Sequence, residues 1–227
     1  MENDQLNFEM LGPYLEKNIT GFLGLIGAEK FSDGQSNPTF LLTAATGRYV
    51  LRSQPLGELL KSAHAVDREF KVIRALKGSD VPVARADHLC EDPSIIGSMF
   101  YVMSYEEGRI FWNPALPGSD NAERMGIYDE MNCILVALHD VDVDAAGLGD
   151  FGRRGNYFKR QLNRWTVQYK ATETEPIPAM DRLMKWLPAN LPADDGMVSL
   201  NHGDFRLDNI IFHPNKPKAK AVLDWEL

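Results

Sequence analysis

The sequence predicts an α+β fold of two lobes, with an antiparallel sheet and one helix in residues 1–105 and a mostly helical lobe in residues 106–227. Short apolar segments alternate with Gly-, Ser- and Asn-containing turns up to about Tyr105, which is typical of strands joined by short connections. After Tyr105, longer segments have apolar residues three and four apart, as in amphipathic helices. Near the end, two short apolar segments form a hairpin that has polar residues at its mouth.

Composition and charge exclude some classes of function. The 227 residues are 44% hydrophobic and 25% charged, which is ordinary for a chain that buries a core. There are 24 Lys and Arg residues against 32 Asp and Glu residues, a net charge of −8. No basic stripe stands out, so nucleic acid is not an expected partner. An anionic ligand such as ATP remains compatible with this charge if local cations and magnesium offset its phosphates.

The sequence also predicts a cytoplasmic protein without a membrane partner. Its N-terminus is polar and lacks the apolar run of a signal peptide, and no stretch approaches the roughly 18 apolar residues of a membrane span. Cys90 and Cys133 lack metal-ligand spacing, and a disulfide is not expected in a reducing compartment. The helical pattern around Cys133 predicts a buried thiol. The oligomeric state is left open.

The first lobe is predicted to begin with a helix and a strand within residues 8–30. A turn rich in Gly, Ser and Asn follows, and it contains Gly34, Gln35, Ser36 and Asn37. Such a turn between two strands can present backbone N–H groups to phosphate oxygens, although most turns of this kind are only hairpin connections.

A cation and a carboxylate follow at positions that suit an ion pair. The strand over residues 48–52 ends in Arg52, and Glu69 lies on or beside the apolar stripe of a helix that extends through residues 63–76. A carboxylate on a buried face needs a partner. A strand cation that faces a helix glutamate positions nucleotide phosphates in kinases. The alternative is that Arg52 and Glu69 are unrelated surface charges.

The first lobe ends in a strand and a short polar link. The strand over residues 99–103 is strongly apolar and continues into Ser104, Tyr105, Glu106, Glu107 and Gly108. A polar link that ends in glycine suits a hinge between lobes, and its backbone donors and acceptors can pair with an adenine edge. An ordinary strand end explains the segment equally well.

Helices dominate the second lobe. Apolar residues at helical spacing predict three of them, over about residues 122–139, 157–170 and 180–187. Asp120 or Asn121 is positioned to cap the first. Trp165 and Tyr169 of the second are predicted to lie in the core. A strand over residues 198–200 then leads into the loop before the final hairpin.

The polar residues at the mouth of that hairpin predict its chemistry. Asp204 precedes Asn209 by five residues on the loop that enters the strand Ile210–Phe212, and a strand over residues 219–223 ends at Asp224. Phosphoryl-transfer enzymes use such an aspartate to accept the proton of the attacking hydroxyl, and such an asparagine to bind Mg²⁺. Asp224 adds a carboxylate for a metal that bridges nucleotide phosphates. Alternatively, all three are only turn and strand-end residues.

Taken together, these segments resemble the aminoglycoside phosphotransferase family of small-molecule kinases, which have the protein-kinase-like fold. Within this family, the sequence most resembles the kinase-like domain fused to certain acyl-CoA dehydrogenases and the stand-alone bacterial relatives of that domain. The resemblance extends over nearly the whole chain. Its family-specific part is residues 202–209 and 224–226, and the part typical of the subgroup is residues 33–39, 49–52, 62–70, 100–103 and 159–165.

The resemblance implies a role for each candidate residue. Asp204 would be the catalytic base, and Asn209 and Asp224 would bind Mg²⁺. ATP would be bound through its phosphates by Gly34, Gln35, Ser36 and Asn37 and by Arg52 paired with Glu69, and through its adenine by Met103, Ser104 and Glu106.

The sequence departs from the family pattern in two places. Many kinases of this fold have lysine where Arg52 stands, and the two side chains are not equivalent as phosphate ligands. The chain ends at Leu227, directly after the metal-binding hairpin, where family members continue with helices of the acceptor site. The second lobe is therefore expected to be incomplete.

The leading hypothesis is an ATP- and Mg²⁺-dependent phosphotransferase that acts on a hydroxyl group of a small molecule. The acceptor could be a hydroxyacyl-CoA-like compound, an amino-alcohol or an aminoglycoside. The competing hypothesis is a nucleotide-binding pseudokinase module without turnover, which Arg52 and the end of the chain favour. A metal-dependent hydrolase that uses His202, Asp204 and Asp224 is a third class, which would need metal ligands that the sequence does not identify.

Overall fold

The structure, a computed structural model, describes residues 6–31, 37–55 and 65–225. The chain divides into two compact units, one formed by Met1–Val141 with Leu200–Leu227 and the other by Asp142–Ser199. The order of helices and strands confirms the predicted α+β class. The boundary between lobes near Tyr105 stays a prediction.

The first unit contains a five-stranded antiparallel sheet in the order β1-β2-β3-β5-β4. Its strands are β1 (Leu25–Lys30), β2 (Thr39–Ala44), β3 (Gly47–Ser53), β4 (Ala86–Cys90) and β5 (Phe100–Ser104). In the register, Arg52 of β3 lies opposite Thr39 of β2 and Tyr101 of β5, and Val50 lies opposite Met103. Because side chains alternate between the two faces of a strand, these five side chains share one face of the sheet.

The other face of the sheet forms a hydrophobic core with helix α1 (Phe8–Asn18). Fully buried side chains from the helix and three strands make up its centre: Leu11, Leu15, Leu42, Leu51, Phe100 and Val102. The helix begins where Asn7 accepts hydrogen bonds from the N–H groups of Glu9 and Met10. Covering one sheet face in this way leaves the face that carries Arg52 for other contacts.

Helix α2 (Val66–Ala75) packs against β4 and β5. Its buried side chains include Val66, Phe70 and Ile73, which confirms the predicted apolar stripe. Glu69 lies among them with only 1% of its surface exposed. A carboxylate in this position needs close polar partners.

The last described part of the chain is the hairpin of β6 (Ile210–Phe212) and β7 (Ala219–Val222), which follows a 3₁₀ turn at Leu207–Asn209. The segment after β5 runs beside it, since Arg109 and Phe212 exchange two backbone hydrogen bonds of 2.8 Å. The N–H of Val222 also donates to the carbonyl of Pro82 at 2.9 Å. The hairpin is thus fixed on both sides by earlier parts of the first unit.

Helix α3 (Asn121–His139) also belongs to the first unit. Asp120 caps it by accepting from the N–H of Glu123 at 2.8 Å, as predicted, and Ile134 is buried. The predicted burial of Cys133 is wrong, because its thiol is exposed. Neighbouring residues of a helix point about 100° apart, so Cys133 lies off the stripe that contains Ile134. Cys90 is buried, and both cysteines are free thiols.

The second unit contains helices α4 (Tyr157–Thr172) and α5 (Pro178–Ala189), which contact each other. The predicted core position of Trp165 is wrong, because 57% of its surface is exposed and no described residue of α4 is buried within the chain. A helix that packs against a single neighbouring helix buries only the face in contact with it, so most of the apolar side chains of α4 remain exposed. Residues 198–200 form no strand, which corrects that prediction too. None of the described helices is long and apolar enough to cross a membrane.

Candidate functional site

A cleft of about 1050 Å³ lies within the first unit, on the sheet face that carries Arg52. The sheet, α2, the link after β5 and the final hairpin form its walls. Every predicted site residue that the structure describes lines it: Asn37, Arg52, Glu69, Met103, Ser104, Glu106, Asp204, Asn209 and Asp224. Gly34, Gln35 and Ser36 lie outside the described residues.

Arg52 links two carboxylates at the centre of the cleft. Its Nε lies 3.1 Å from Oε2 of Glu69, so the ion pair predicted from the sequence is present. Its Nη2 lies 2.5 Å from Oδ1 of Asp224. The guanidinium can hold both at once because its donors point in several directions within one plane, whereas a lysine ammonium is a single point charge.

The Glu69 carboxylate is held from several sides. Its Oε1 accepts a hydrogen bond of 3.3 Å from the N–H of Trp225, and the buried hydroxyl of Tyr101 faces it. Burial raises the pKa of Glu69 to about 7, and the positive charge of Arg52 limits the rise. Burial also raises the pKa of Tyr101, so the phenol stays protonated and can act as a donor. Glu69 therefore titrates near neutral pH.

Asp204 and Asn209 are joined at the mouth of the hairpin. Nδ2 of Asn209 donates to the carbonyl of Asp204 at 2.9 Å and to its Oδ2 at 3.1 Å. The carboxamide nitrogen is therefore turned towards Asp204, and the carboxamide oxygen is the atom that can bind a cation. The 3₁₀ turn at Leu207–Asn209 brings the two side chains together. The Asn209 carbonyl accepts from the N–H of Leu223 at 2.8 Å, which brings the residue before Asp224 to the same place.

His202 connects the two ends of the hairpin beneath the cleft. Its Nδ1 accepts from the N–H of Asp204 at 3.3 Å, so its Nε2 carries the proton and donates to the carbonyl of Leu223 at 2.8 Å. Its ring lies 4.6 Å from that of Trp225, and burial lowers its pKa, which keeps it neutral at pH 7. A histidine held in this way positions backbone. The described residues contain no cluster of three or more His, Cys, Asp or Glu side chains suited to a metal.

Two cleft residues that the sequence reasoning missed are Tyr101 and Arg206. Tyr101 lies two residues before Met103 on β5 and opposite Arg52, so strand alternation from Met103 could have identified it. Arg206 lies between Asp204 and Asn209 on the hairpin loop. Its Nε is 3.4 Å from Oδ1 of Asp204, and its Nη2 is 2.7 Å from Oδ2 of Asp208. Its position between two chemically important residues was the available signal.

The link after β5 is held by side chains on both sides of the cleft. Ser104 Oγ donates to Oε1 of Glu106 at 3.0 Å, and Lys220 of β7 lies 3.1 Å from Oε2 of Glu106. Lys220 also donates to the carbonyl of Glu107 at 3.1 Å. The N–H of Ser104 donates to the carbonyl of Arg85 at 2.9 Å within the sheet, so this N–H is not available to a bound base.

Two residues near the hairpin carry oxygen atoms of the types that Mg²⁺ binds. Mg²⁺ usually takes one or two protein oxygen ligands together with phosphate oxygens and water. Asp224 provides a carboxylate and Asn209 a carboxamide oxygen in one cleft wall. Asp224 has a φ of 66°, a left-handed conformation that is uncommon for a residue with a side chain and that is often found at functional sites. These oxygens fit the ion without any further protein ligand.

Several known proteins are similar to this chain in sequence. The sequence profile of the phosphotransferase enzyme family matches residues 27–227. Acyl-CoA dehydrogenase family member 10 of Mus musculus is 49% identical over 218 residues, which cover 94% of this chain and 20% of the mouse protein. The curated relatives are much longer, since this chain spans 20% of the mouse protein and 29% of two further relatives that are 46% and 44% identical.

Solved structures agree with the fold. A crystal structure from Ralstonia eutropha JMP134, of a protein provisionally named an aminoglycoside phosphotransferase, is 50% identical with a TM-score of 0.88, over 98% of this chain and 65% of that one. The streptomycin–ATP ternary complex of APH(2")-IIa has a TM-score of 0.67 at 18% identity, over 100% of this chain and 71% of that one. The second likeness shows the fold alone. Together the comparisons confirm the resemblance and the kinase-like fold predicted from the sequence.

Proposed function

Because the chain belongs to the phosphotransferase enzyme family, we propose that it transfers the terminal phosphoryl group of ATP to a hydroxyl group of a small molecule. The observation that carries this proposal is the convergence of Asp204, Asn209 and Asp224 on the cleft that also contains the Arg52–Glu69 ion pair. These are the side-chain types that phosphoryl transfer needs, and they come from four separate parts of the chain.

In the proposed reaction, the acceptor oxygen forms a bond to the terminal phosphorus of ATP. The bond from that phosphorus to the oxygen shared with ADP breaks, and ADP leaves with this oxygen. Asp204 accepts the proton of the hydroxyl group, and its hydrogen bond with Asn209 holds the carboxylate in place. Little covalent chemistry is required of the protein, so positioning and charge neutralisation supply most of the rate.

Other residues bind the nucleotide. Asn209 and Asp224 would hold Mg²⁺, which neutralises phosphate charge when bound. Arg52, fixed by Glu69, binds phosphate oxygens together with Asn37 and with Gly34, Gln35 and Ser36, the last three on the basis of the sequence alone. Met103, Ser104 and Glu106 line the part of the cleft assigned to the adenine.

A hydroxyacyl-CoA-like compound is the preferred acceptor class. This preference rests on the names of the relatives, which are acyl-CoA dehydrogenase family members at 44–49% identity. Their dehydrogenase activity is not proposed for this chain, which spans a minor part of their length. Aminoglycosides are a second candidate, supported by the provisional name of the 50% identical Ralstonia eutropha protein, whereas the APH(2")-IIa complex shares only the fold at 18% identity. Amino-alcohols complete the set of acceptors to be tried.

One observation favours a second candidate, a nucleotide-binding module without turnover. Arg52 lies 2.5 Å from Asp224, so a cation already engages the carboxylate that would hold the metal. A site in which this ion pair persists would bind a nucleotide and fail to place its terminal phosphate for transfer. Mg-ATP binding without ATP consumption for every acceptor would support this candidate.

The decisive experiment combines an acceptor screen with one substitution. The chain is incubated with Mg-ATP and each acceptor class, ADP formation is followed, and the phosphate ester is identified by ³¹P NMR. Asp204→Asn is expected to lower turnover by about 10²- to 10⁴-fold, the usual contribution of a general base, while Mg-ATP affinity stays near that of the wild type. Asp129→Asn, an exposed aspartate of α3, is the matched control. Near-normal turnover in Asp204→Asn would rule out the base assignment.

A further inference from the structure

We propose that Arg206 is a further catalytic residue, which contacts the phosphoryl group while it moves from ATP to the acceptor. The inference rests on the proposed function and deepens it, since it assigns a ligand to the charge that develops during transfer. None of the roles assigned above requires this side chain.

The Arg206 side chain lies beside the proposed catalytic base, Asp204. Arg206 has an extended backbone conformation directly before the 3₁₀ turn, and its side chain lines the cleft, whereas the next residue, Leu207, is buried. The guanidinium therefore lies on the cleft side, where its Nε is 3.4 Å from Oδ1 of Asp204. An acceptor hydroxyl that gives its proton to Asp204 therefore also lies close to the guanidinium of Arg206.

The cleft carries more negative than positive side chains. Arg52 and Arg206 are the two cations among the described residues that line the cleft, against five carboxylates. Arg52 is only 14% exposed and faces both Glu69 and Asp224, so its charge is largely balanced within the protein. A phosphoryl group approaching Asp204 meets a further negative charge, and Arg206 is the cation beside that aspartate.

The ion pairs of Arg206 contribute little to the stability of the fold. Its side chain is 57% exposed, and surface ion pairs of this kind contribute little to stability. The contact of 2.7 Å with Asp208 instead fixes the orientation of the planar group. Arginine presents several donors in one plane that match phosphate oxygens, and in other phosphoryl-transfer enzymes an arginine stabilises the transition state.

The test measures binding and needs no knowledge of the acceptor. Isothermal titration calorimetry gives the affinity of the chain for Mg-ADP, with and without aluminium fluoride, which imitates the phosphoryl group in transit. In the wild type, aluminium fluoride is expected to tighten binding, as transition-state analogues do. In Arg206→Met, about 10²-fold of this tightening is expected to disappear, the usual effect of removing one such donor. The Mg-ADP affinity itself is expected to stay unchanged.

The chain offers a matched control in Arg85→Met. Arg85 is about as exposed as Arg206 and also pairs with an aspartate two residues later, at 2.6 Å from Asp87, but it does not line the cleft. This control is expected to keep the full tightening by aluminium fluoride. Arg206→Lys keeps the charge without the planar group of donors and is expected to recover only part of the effect. Thermal unfolding of each variant checks that it is folded.

The outcomes separate the inference from the proposed function. Full tightening in Arg206→Met would overturn the role of Arg206 alone. An equal loss of affinity for Mg-ADP with and without aluminium fluoride would also overturn it, since Arg206 would then bind only the ground state. Failure of the wild type to bind Mg-ADP, or to respond to aluminium fluoride, would overturn the proposed phosphoryl transfer and the inference with it.

Discussion

Arg52 shows how a single side chain determines the electrostatics of the cleft. Its guanidinium lies between the buried Glu69 and the partly exposed Asp224, which carry 2% and 29% side-chain exposure. Two carboxylates compete for one cation, and the buried one bears the larger desolvation cost. Burial, opposed by the charge of Arg52 and assisted by the charge of Asp224, raises the pKa of Glu69 to about 7.

The first prediction concerns Glu69→Gln and the pH dependence of stability. The pKa of Glu69 is about 7 in the folded chain and 4.5 in the reference state, so over this interval the unfolded chain loses a proton that the folded chain keeps. Protonation of Glu69 therefore adds on the order of 3 kcal/mol to the free energy of unfolding, and this contribution is fully present below pH 4.5. It is lost as the pH rises through about 7. The glutamine side chain cannot titrate, so the variant gains stability relative to the wild type between about pH 5 and about pH 8.

Urea unfolding at these two pH values measures this difference. Glu29→Gln, at an exposed position of β1, is the control and is expected to follow the wild type at both. Parallel pH curves for the wild type and Glu69→Gln would contradict the raised pKa.

The second prediction concerns Asp224→Ala and magnesium. Loss of this carboxylate is expected to remove most of the increase in ATP affinity that Mg²⁺ produces, because one of two proposed protein ligands is gone. Affinity for ATP without Mg²⁺ is expected to stay the same or rise, since Arg52 is released from one carboxylate. Calorimetric titration with ATP in Mg²⁺ and in EDTA gives both values. Asp87→Ala, outside the cleft, serves as control, and an undiminished Mg²⁺ effect in Asp224→Ala would argue against the assignment.

At the scale of elements, the final hairpin and the link after β5 act as one piece. Arg109 pairs with Phe212, and Lys220 holds Glu106 and Glu107. The segment proposed to contact adenine is thereby attached to the hairpin that has the proposed metal ligands at its two ends. Close backbone approach makes this attachment depend on Gly108.

The third prediction is that Gly108→Ala disrupts this attachment. A Cβ at this position would lie 2.2 Å from the carbonyl oxygen of Phe212 and 2.4 Å from a methyl of Ile211, so the backbone must shift. A loss of about 1–3 kcal/mol of stability is expected, together with weaker ATP binding. Gly27→Ala in β1 meets open space and is expected to be nearly neutral. Chemical denaturation and ATP titration of both variants provide the measurement, and equal behaviour would refute the packing argument.

For the whole molecule, the residues that line the cleft all belong to the first unit. Ligand binding at the cleft should therefore stabilise this unit by mass action, by about 2.7 kcal/mol at a ligand concentration of about 100 times the Kd.

The fourth prediction follows for hydrogen exchange. Saturating Mg-ATP is expected to slow amide exchange in cleft segments such as residues 100–104 and 204–212, and to leave Asp142–Ser199 unchanged. Mass-spectrometric exchange with and without Mg-ATP distinguishes the two units. Equal protection of both units would contradict the location of the nucleotide site.

Periodicity and spacing were enough to predict most elements and which polar residues meet at the mouth of the hairpin. Apolar residues three and four apart predicted α2 and α3, and the interval between Asp204 and Asn209 predicted their shared loop, because both patterns depend on local geometry. Burial was less predictable. Trp165 and Cys133 are exposed although their helices are present. Apolar residues at helical spacing show which side of a helix is apolar, but they do not show whether another element packs against that side.

The sequence by itself determined the fold class, the family and the residue types of the site. Only the tertiary structure decided that Arg52 engages Asp224, 172 residues away, as well as Glu69. It also decided that Tyr101 faces Glu69 and that His202 holds two backbone segments together. The physical reason is that an ionic or hydrogen-bonding partner is selected by distance and burial after the chain has folded, and neither quantity is contained in local residue spacing.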